Sequence, residues 1–198
     1  MATYDALRHA VIPSALSPWT NVAMIGVVTV FAIAAKLTAA ELGTARADAP
    51  RGLAWGGAAF AIVTVVLCIA AAVSPGAFDD DRADISAPAM LWRVLVVIPV
   101  ATVVLEELAF RGVILGLLRR LTADRAAVGV SAALFGLWHI PGVFDDGIAA
   151  IAGTVAATTV AGVVFAVLRL RSRSLIAPAL AHVATNSVAF ALAWWLAR

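Results

Sequence analysis

Three clusters of polar residues interrupt apolar stretches of this chain: Glu106, Glu107 and Arg111; Phe135 and His139; His182 and Asn186. A charged side chain near the centre of a membrane-spanning segment costs about 2.5 to 3.5 kcal/mol on insertion scales, so such residues face a bundle interior and work there. Two of the chain's three histidines lie in these clusters. Adjacent carboxylates, two imidazoles and a carboxamide are groups that can move a proton to or from water and can donate hydrogen bonds to a developing oxyanion.

The spacing assigns roles. Glu107 and Arg111 are four residues apart, so on a helix they share a face and pair. Glu106 is turned about 100° away at 3.6 residues per turn. Arg111 then neutralises and orients Glu107 while Glu106 stays free for proton chemistry in a low-dielectric setting. Phe135 and His139 are also four apart, which sets the ring beside the imidazole, and Pro141 and Gly142 break the helix just beyond. His182 and Asn186 repeat the spacing on the last apolar segment and suit an oxyanion. Each cluster also has a structural alternative: an ion pair packing two helices, a helix-end histidine bonded to a carbonyl, and interhelical hydrogen bonds from His and Asn.

The elements that must carry these residues are membrane helices. With 63% hydrophobic residues and 13% charged ones in 198 positions, the chain is too apolar for a soluble domain. Runs near the roughly 20 residues needed to cross a bilayer lie at 21–40, 53–73, 89–118, 147–168 and 174–196, with a shorter one at 126–140. The expected fold is an all-α polytopic bundle of about six segments, one domain over 1–198, with the site buried between the last four helices.

Residues 1–18 lack the order of a cleaved signal, so the first run should remain as an anchor. The lone Cys68 reads as a small packing residue inside a helix and supports neither a disulfide framework nor a thiolate metal site. The 14 Lys and Arg residues sit at helix ends without forming a basic face, which argues against nucleic acid as a partner. They gather between alternate segments: Lys36, Arg46 and Arg51; Arg119, Arg120 and Arg125; Arg169, Arg171 and Arg173. The intervening loops hold Asp79, Asp80, Asp81 and Asp84, then Asp145 and Asp146. This bias puts the basic loops in the cytoplasm and both termini outside. The 79–86 loop reads as a solvated connector, and Trp194 and Trp195 as an aromatic belt. Measured from the basic helix ends at about 1.5 Å per residue, Glu106, His139 and Asn186 all lie roughly 20 Å deep. Three helices therefore present their polar residues at one level.

In order, Glu106-Glu107-Leu-Ala-Phe-Arg111, Phe135-Gly-Leu-Trp-His139 and His182-Val-Ala-Thr-Asn186 resemble the EExxxR, FxxxH and HxxxN motifs of the CAAX protease and bacteriocin-processing family, intramembrane endopeptidases related to the Ras-converting CAAX prenyl proteases. The resemblance covers about 90–196. Residues 1–87 carry no motif, and 88–198 form the family-like core. The resemblance implies that Glu106 and His139 activate the hydrolytic water, that His182 and Asn186 form the oxyanion hole, and that Glu107 and Arg111 support them.

Two readings of the chemistry remain open at this point. Glu106, His139 and His182 could form a His2Glu zinc set with a fourth position for water. A metal-free route uses Glu106 as base and needs no cofactor; it accounts better for Asn186, a poor zinc ligand and a good donor. No Ser or Cys accompanies a histidine in these motifs, so no acyl-enzyme is expected. The expected partners are membrane lipids and a protein or peptide substrate, and the Ala and Arg richness points to a bacterial cell membrane. The competing classes are a proton-coupled transporter, which requires a polar path to both faces, and a catalytically silent binding or immunity protein.

Overall fold

The computed structural model describes residues 17–198, and among these all regular structure is helical. The expectation for residues 1–16 lies outside the described part. Six apolar segments appear in the expected order: α1 (Ser17–Ala34), α2 (Ala49–Val73), α3 (Ala87–Leu121), α4 (Asp124–Trp138), α5 (Ile148–Ser172) and α6 (Ile176–Leu196). Four are long and apolar enough to cross a membrane alone, with α2 lying in the stretch Ala39–Val73. The pair formed by α4 and the following turn Ile140–Asp146, bent by 46°, would make a fifth. The outer faces carry bare aliphatics, with Ile33 70%, Ile62 64% and Val65 57% exposed, a surface that only lipid solvates. The protein is an integral membrane protein.

Small residues set the helix spacing. A Cβ on Gly136 of α4 would collide with Thr159 of α5, and one on Gly162 of α5 would lie 3.0 Å from the Ala132 Cα of α4. These two crossings hold α4 and α5 at close range, as small residues do where lipid offers no hydrophobic drive. Between them Phe110, Phe135, Trp138 and Phe165 form the core. Phe110 and Phe135 meet edge to face at 5.2 Å between centroids, the geometry that aromatic quadrupoles favour. Cys68 does not pack in this core; it is exposed on α2, because its helix face turns toward lipid.

The motif helices are not uniformly α-helical. Arg93–Val103 and Glu107–Ile114 in α3, and Ala184–Val188 in α6, wind as π-helix, a winding that is rare and frequent at functional sites. Within the first stretch lies Pro99, which has no N–H to give and whose ring would clash in an α-helical turn. A wider turn relieves that clash.

Candidate active site

Glu107 is the hub of the buried network. Its Oε1 accepts from Arg111 Nη1 at 3.1 Å and lies 2.8 Å from His182 Nδ1. Arg111 and Glu107 are each 1% exposed. Arg111 Nε and Nη2 have no hydrogen-bond partner among the described residues, because the guanidinium faces rings instead. Its Cζ sits 4.0 Å from the Phe135 centroid and 5.1 Å from that of Phe165. Cation–π attraction in a desolvated setting replaces the missing acceptors.

His182 is held on every side. Phe165 stacks on it at 4.9 Å with 23° between planes, and Phe135 meets it edge-on at 5.9 Å. Its Nε2 lies 3.2 Å from Asn186 Nδ2 and 3.7 Å from Glu106 Oε2. With Glu107 accepting from Nδ1–H, the neutral ring carries a lone pair at Nε2, and the Asn186 amide donates to it. Nε2 of His182 becomes a donor only in the imidazolium form.

His139 ends α4 at φ −86°, ψ −8°, and its Nδ1 lies 2.8 Å from Phe135 O. The carbonyl fixes Nδ1–H, so Nε2 is the nitrogen left for the cavity. Phe135 packs edge-on against this ring at 4.7 Å. The helix-end bond and the position at the site thus coexist in one residue.

Glu106, His139 and Asn186 line one cavity of about 930 Å³. His182 lies behind its wall. Glu106 is 9% exposed, and its Oε2 has no hydrogen-bond partner among the described residues. The cavity is lined further by Thr102, Thr154, Thr158 and Thr185 and extends to Asp79, Asp80, Arg82 and Arg93. The 79–86 loop is thus part of the cavity rim and not merely a connector. Arg82 grips Asp80 through two nitrogens at 2.8 and 2.7 Å, which holds the Asp80 carboxyl below its ordinary range. Arg93 lies over the Phe190 ring at 4.8 Å. Sequence reasoning missed Phe165, the threonines and Arg93: all but Thr185 lie outside the motifs, and Thr185 fills an unspecified position between His182 and Asn186; the only signal was hydroxyls recurring four apart, at Thr154 and Thr158.

The zinc alternative requires Glu106, His139 and His182 to aim lone pairs at one point. Among the described residues, no three His, Cys, Asp or Glu side chains are placed to hold a metal ion. The Nδ1 bonds of His182 to Glu107 and of His139 to Phe135 O would be compatible with ligation through Nε2, but Nε2 of His182, the nitrogen a metal would need, faces the Asn186 amide nitrogen at 3.2 Å. This donor set does not fit a three-ligand zinc site.

The class that fold and site define is an all-α integral membrane protein with paired carboxylates, imidazoles and a carboxamide at the blind end of a cavity. Residues 88–188 match the Rce1-like family, described as type II CAAX prenyl endopeptidase Rce1-like. That is half of the chain and includes all three motifs, and the chain belongs to this family of CAAX-protease-like intramembrane endopeptidases. No curated protein and no solved structure matches it.

Proposed function

We propose that the protein hydrolyses a peptide bond inside the membrane by direct attack of water, with Glu106 as the base. The observation that carries this reading is the buried, unpartnered Glu106 carboxylate oxygen at the blind end of a cavity it shares with His139 and Asn186. Glu106 takes a proton from water as the oxygen attacks the carbonyl carbon, while His139 Nε2 positions that water. Glu106 Oε2, 3.7 Å from His182 Nε2, passes the proton on. Glu107 steadies the imidazolium that results. His182 and Asn186 then donate to the oxyanion, each donor in a dry site being worth about 3 to 4 kcal/mol. The proton finally goes to the leaving nitrogen as the C–N bond breaks, giving a carboxylic acid, which keeps the second proton of the water, and an amine. Arg111 neutralises Glu107, and Phe135 orients both imidazoles.

In this division residues 1–87 anchor, with described residues such as Asn21 and Leu67 in the cavity wall, and 88–198 carry the chemistry, within one domain in a bacterial cell membrane. The substrate is a protein or peptide. The route needs no cofactor.

A proton-coupled transporter is disfavoured by the shape of the cavity, which has no lining residue near the basic helix ends. Below Glu106 the way is filled by Arg111 and its aromatic cage.

The test is cleavage of a quenched-fluorescent peptide library by purified protein in liposomes. Wild type should release fluorescence from a subset of peptides and Glu106→Gln from none. Equal release by both removes Glu106 from the chemistry.

A further inference from the structure

The cavity and the charge pattern share an axis. The ends of the helices that carry basic residues, at 36–51, 119–125 and 169–173, hold nine of the chain's 14 Lys and Arg residues. That end is closed. Arg120 reaches Glu41 Oε1 at 2.7 Å, Ala35 O at 3.1 Å and Lys36 O at 2.8 Å. Arg169 donates to Ala40 O and Glu41 O, both at 2.9 Å. These bonds tie the capped turn Ala39–Leu42 across the bottoms of α3 and α5.

The cavity extends to the other end, its lining including Asp79, Asp80, Arg82, Gly142 and Val143 of the loops 74–86 and 140–147, which carry six aspartates and a single arginine, Arg82. Lys and Arg in short loops mark the cytoplasmic face, and Asp and Glu contribute little to that choice.

We propose that the mouth of this cavity faces the extracytoplasmic side, and that the polypeptide cleaved at Glu106 reaches it from there as an extended segment. The peptide part of this inference rests on the protease reading above; the orientation does not. It follows that a lipid-modified C-terminus in the cytosol is not the substrate class. The substrate is a membrane or exported protein that presents an unfolded stretch at the outer surface.

The walls suit such a segment. Thr158 donates to Thr154 O at 2.6 Å and Thr185 to Ala181 O at 2.9 Å. With their protons committed within their own helices, both hydroxyls offer lone pairs toward the cavity, which match peptide N–H groups. Arg93 and Glu106 are 13 residues apart on α3, at most about 20 Å at the α-helical rise. An extended chain of up to about six residues spans that distance.

Full-length protein in a bacterial host, with Cys68→Ala removing the native thiol, allows the orientation to be read with single cysteines and a membrane-impermeant thiol reagent. Ser86→Cys marks the mouth loop and Thr122→Cys the opposite end. Ala189→Cys and Thr154→Cys, on two different helices, mark the cavity wall. The expected result is labelling of Ser86→Cys and both cavity cysteines in intact cells, with Thr122→Cys labelled only in inverted vesicles. Labelling of Thr122→Cys in intact cells, alone or together with Ser86→Cys, overturns the orientation. Labelling at Ser86→Cys with neither cavity cysteine reactive overturns the open mouth. None of these readouts needs turnover, so a failure here is distinct from a failure of the protease reading.

Discussion

Removal of the Arg111 side chain should damage the fold before it touches the chemistry. The guanidinium side chain is 0% exposed, 3.1 Å from Glu107 and 4.0 Å from the Phe135 centroid. Arg111→Ala leaves the Glu107 carboxylate buried, with His182 Nδ1 as its only remaining partner, and strips the Phe135 face of its cation. Breaking a buried pair from one side costs about 3 to 5 kcal/mol, and a desolvated cation–π contact contributes about 2 kcal/mol of the original stability. These two figures overlap, so a total near 3 to 5 kcal/mol is expected. For a chain of this size each kcal/mol moves Tm by about 2 to 4 °C, which gives a fall of about 6 to 20 °C in detergent. Glu107→Gln combined with Arg111→Met removes both charges and should recover much of the loss, because the penalty is the unpaired carboxylate and not the missing attraction. A fall of under about 2 °C for Arg111→Ala, or no recovery in the double variant, would refute the view that Glu107 depends on Arg111 for its charge.

Glu106→Gln keeps the shape of a side chain that has no hydrogen-bonded partner at Oε2; turnover should vanish while Tm stays near wild type, read by cleavage and thermal unfolding on the same preparation. Asn186→Ala should lower kcat by about 10² to 10³ with a smaller effect on KM, as steady-state kinetics would report. Gly136→Val should separate α4 from α5 at Thr159 and lower Tm and yield, whereas Gly153→Ala, where a Cβ meets nothing within 4 Å, should change neither. Activity of purified protein should survive strong chelator, with metal analysis finding less than one zinc per chain; loss of activity restored by zinc would return His139 and His182 to the role of ligands.

The sequence made the pairings within the motifs legible because helical spacing is rigid. Glu107 and Arg111, and His182 and Asn186, pair at four residues as a helix requires, even where the winding is π. The depth ruler rests on a related regularity: residues counted back from basic helix ends can be compared between helices, and the three it matches, Glu106, His139 and Asn186, line one cavity. Three things were out of reach. Phe165 stacks on His182 from α5, a helix with no motif, and aromatic residues are too common in apolar segments for one to stand out. The cavity depends on how helix faces turn against one another, which period and composition leave open, so its threonines and Arg93 read as ordinary spans. The exchange of hydrogen bonds at His182 was also hidden: spacing brought Asn186 to the imidazole, but only the bond to Glu107 on another helix fixes which nitrogen donates.

The central claim is that Glu106, at the blind end of the cavity, makes this protein a peptidase. The most direct measurement is a census of new protein termini in membranes of cells expressing wild type or Glu106→Gln at equal levels. The expected result is a discrete set of termini present with wild type, absent with Glu106→Gln, and lying in segments exposed on the extracytoplasmic side. Identical sets of termini from the two proteins, with both folded, would contradict it.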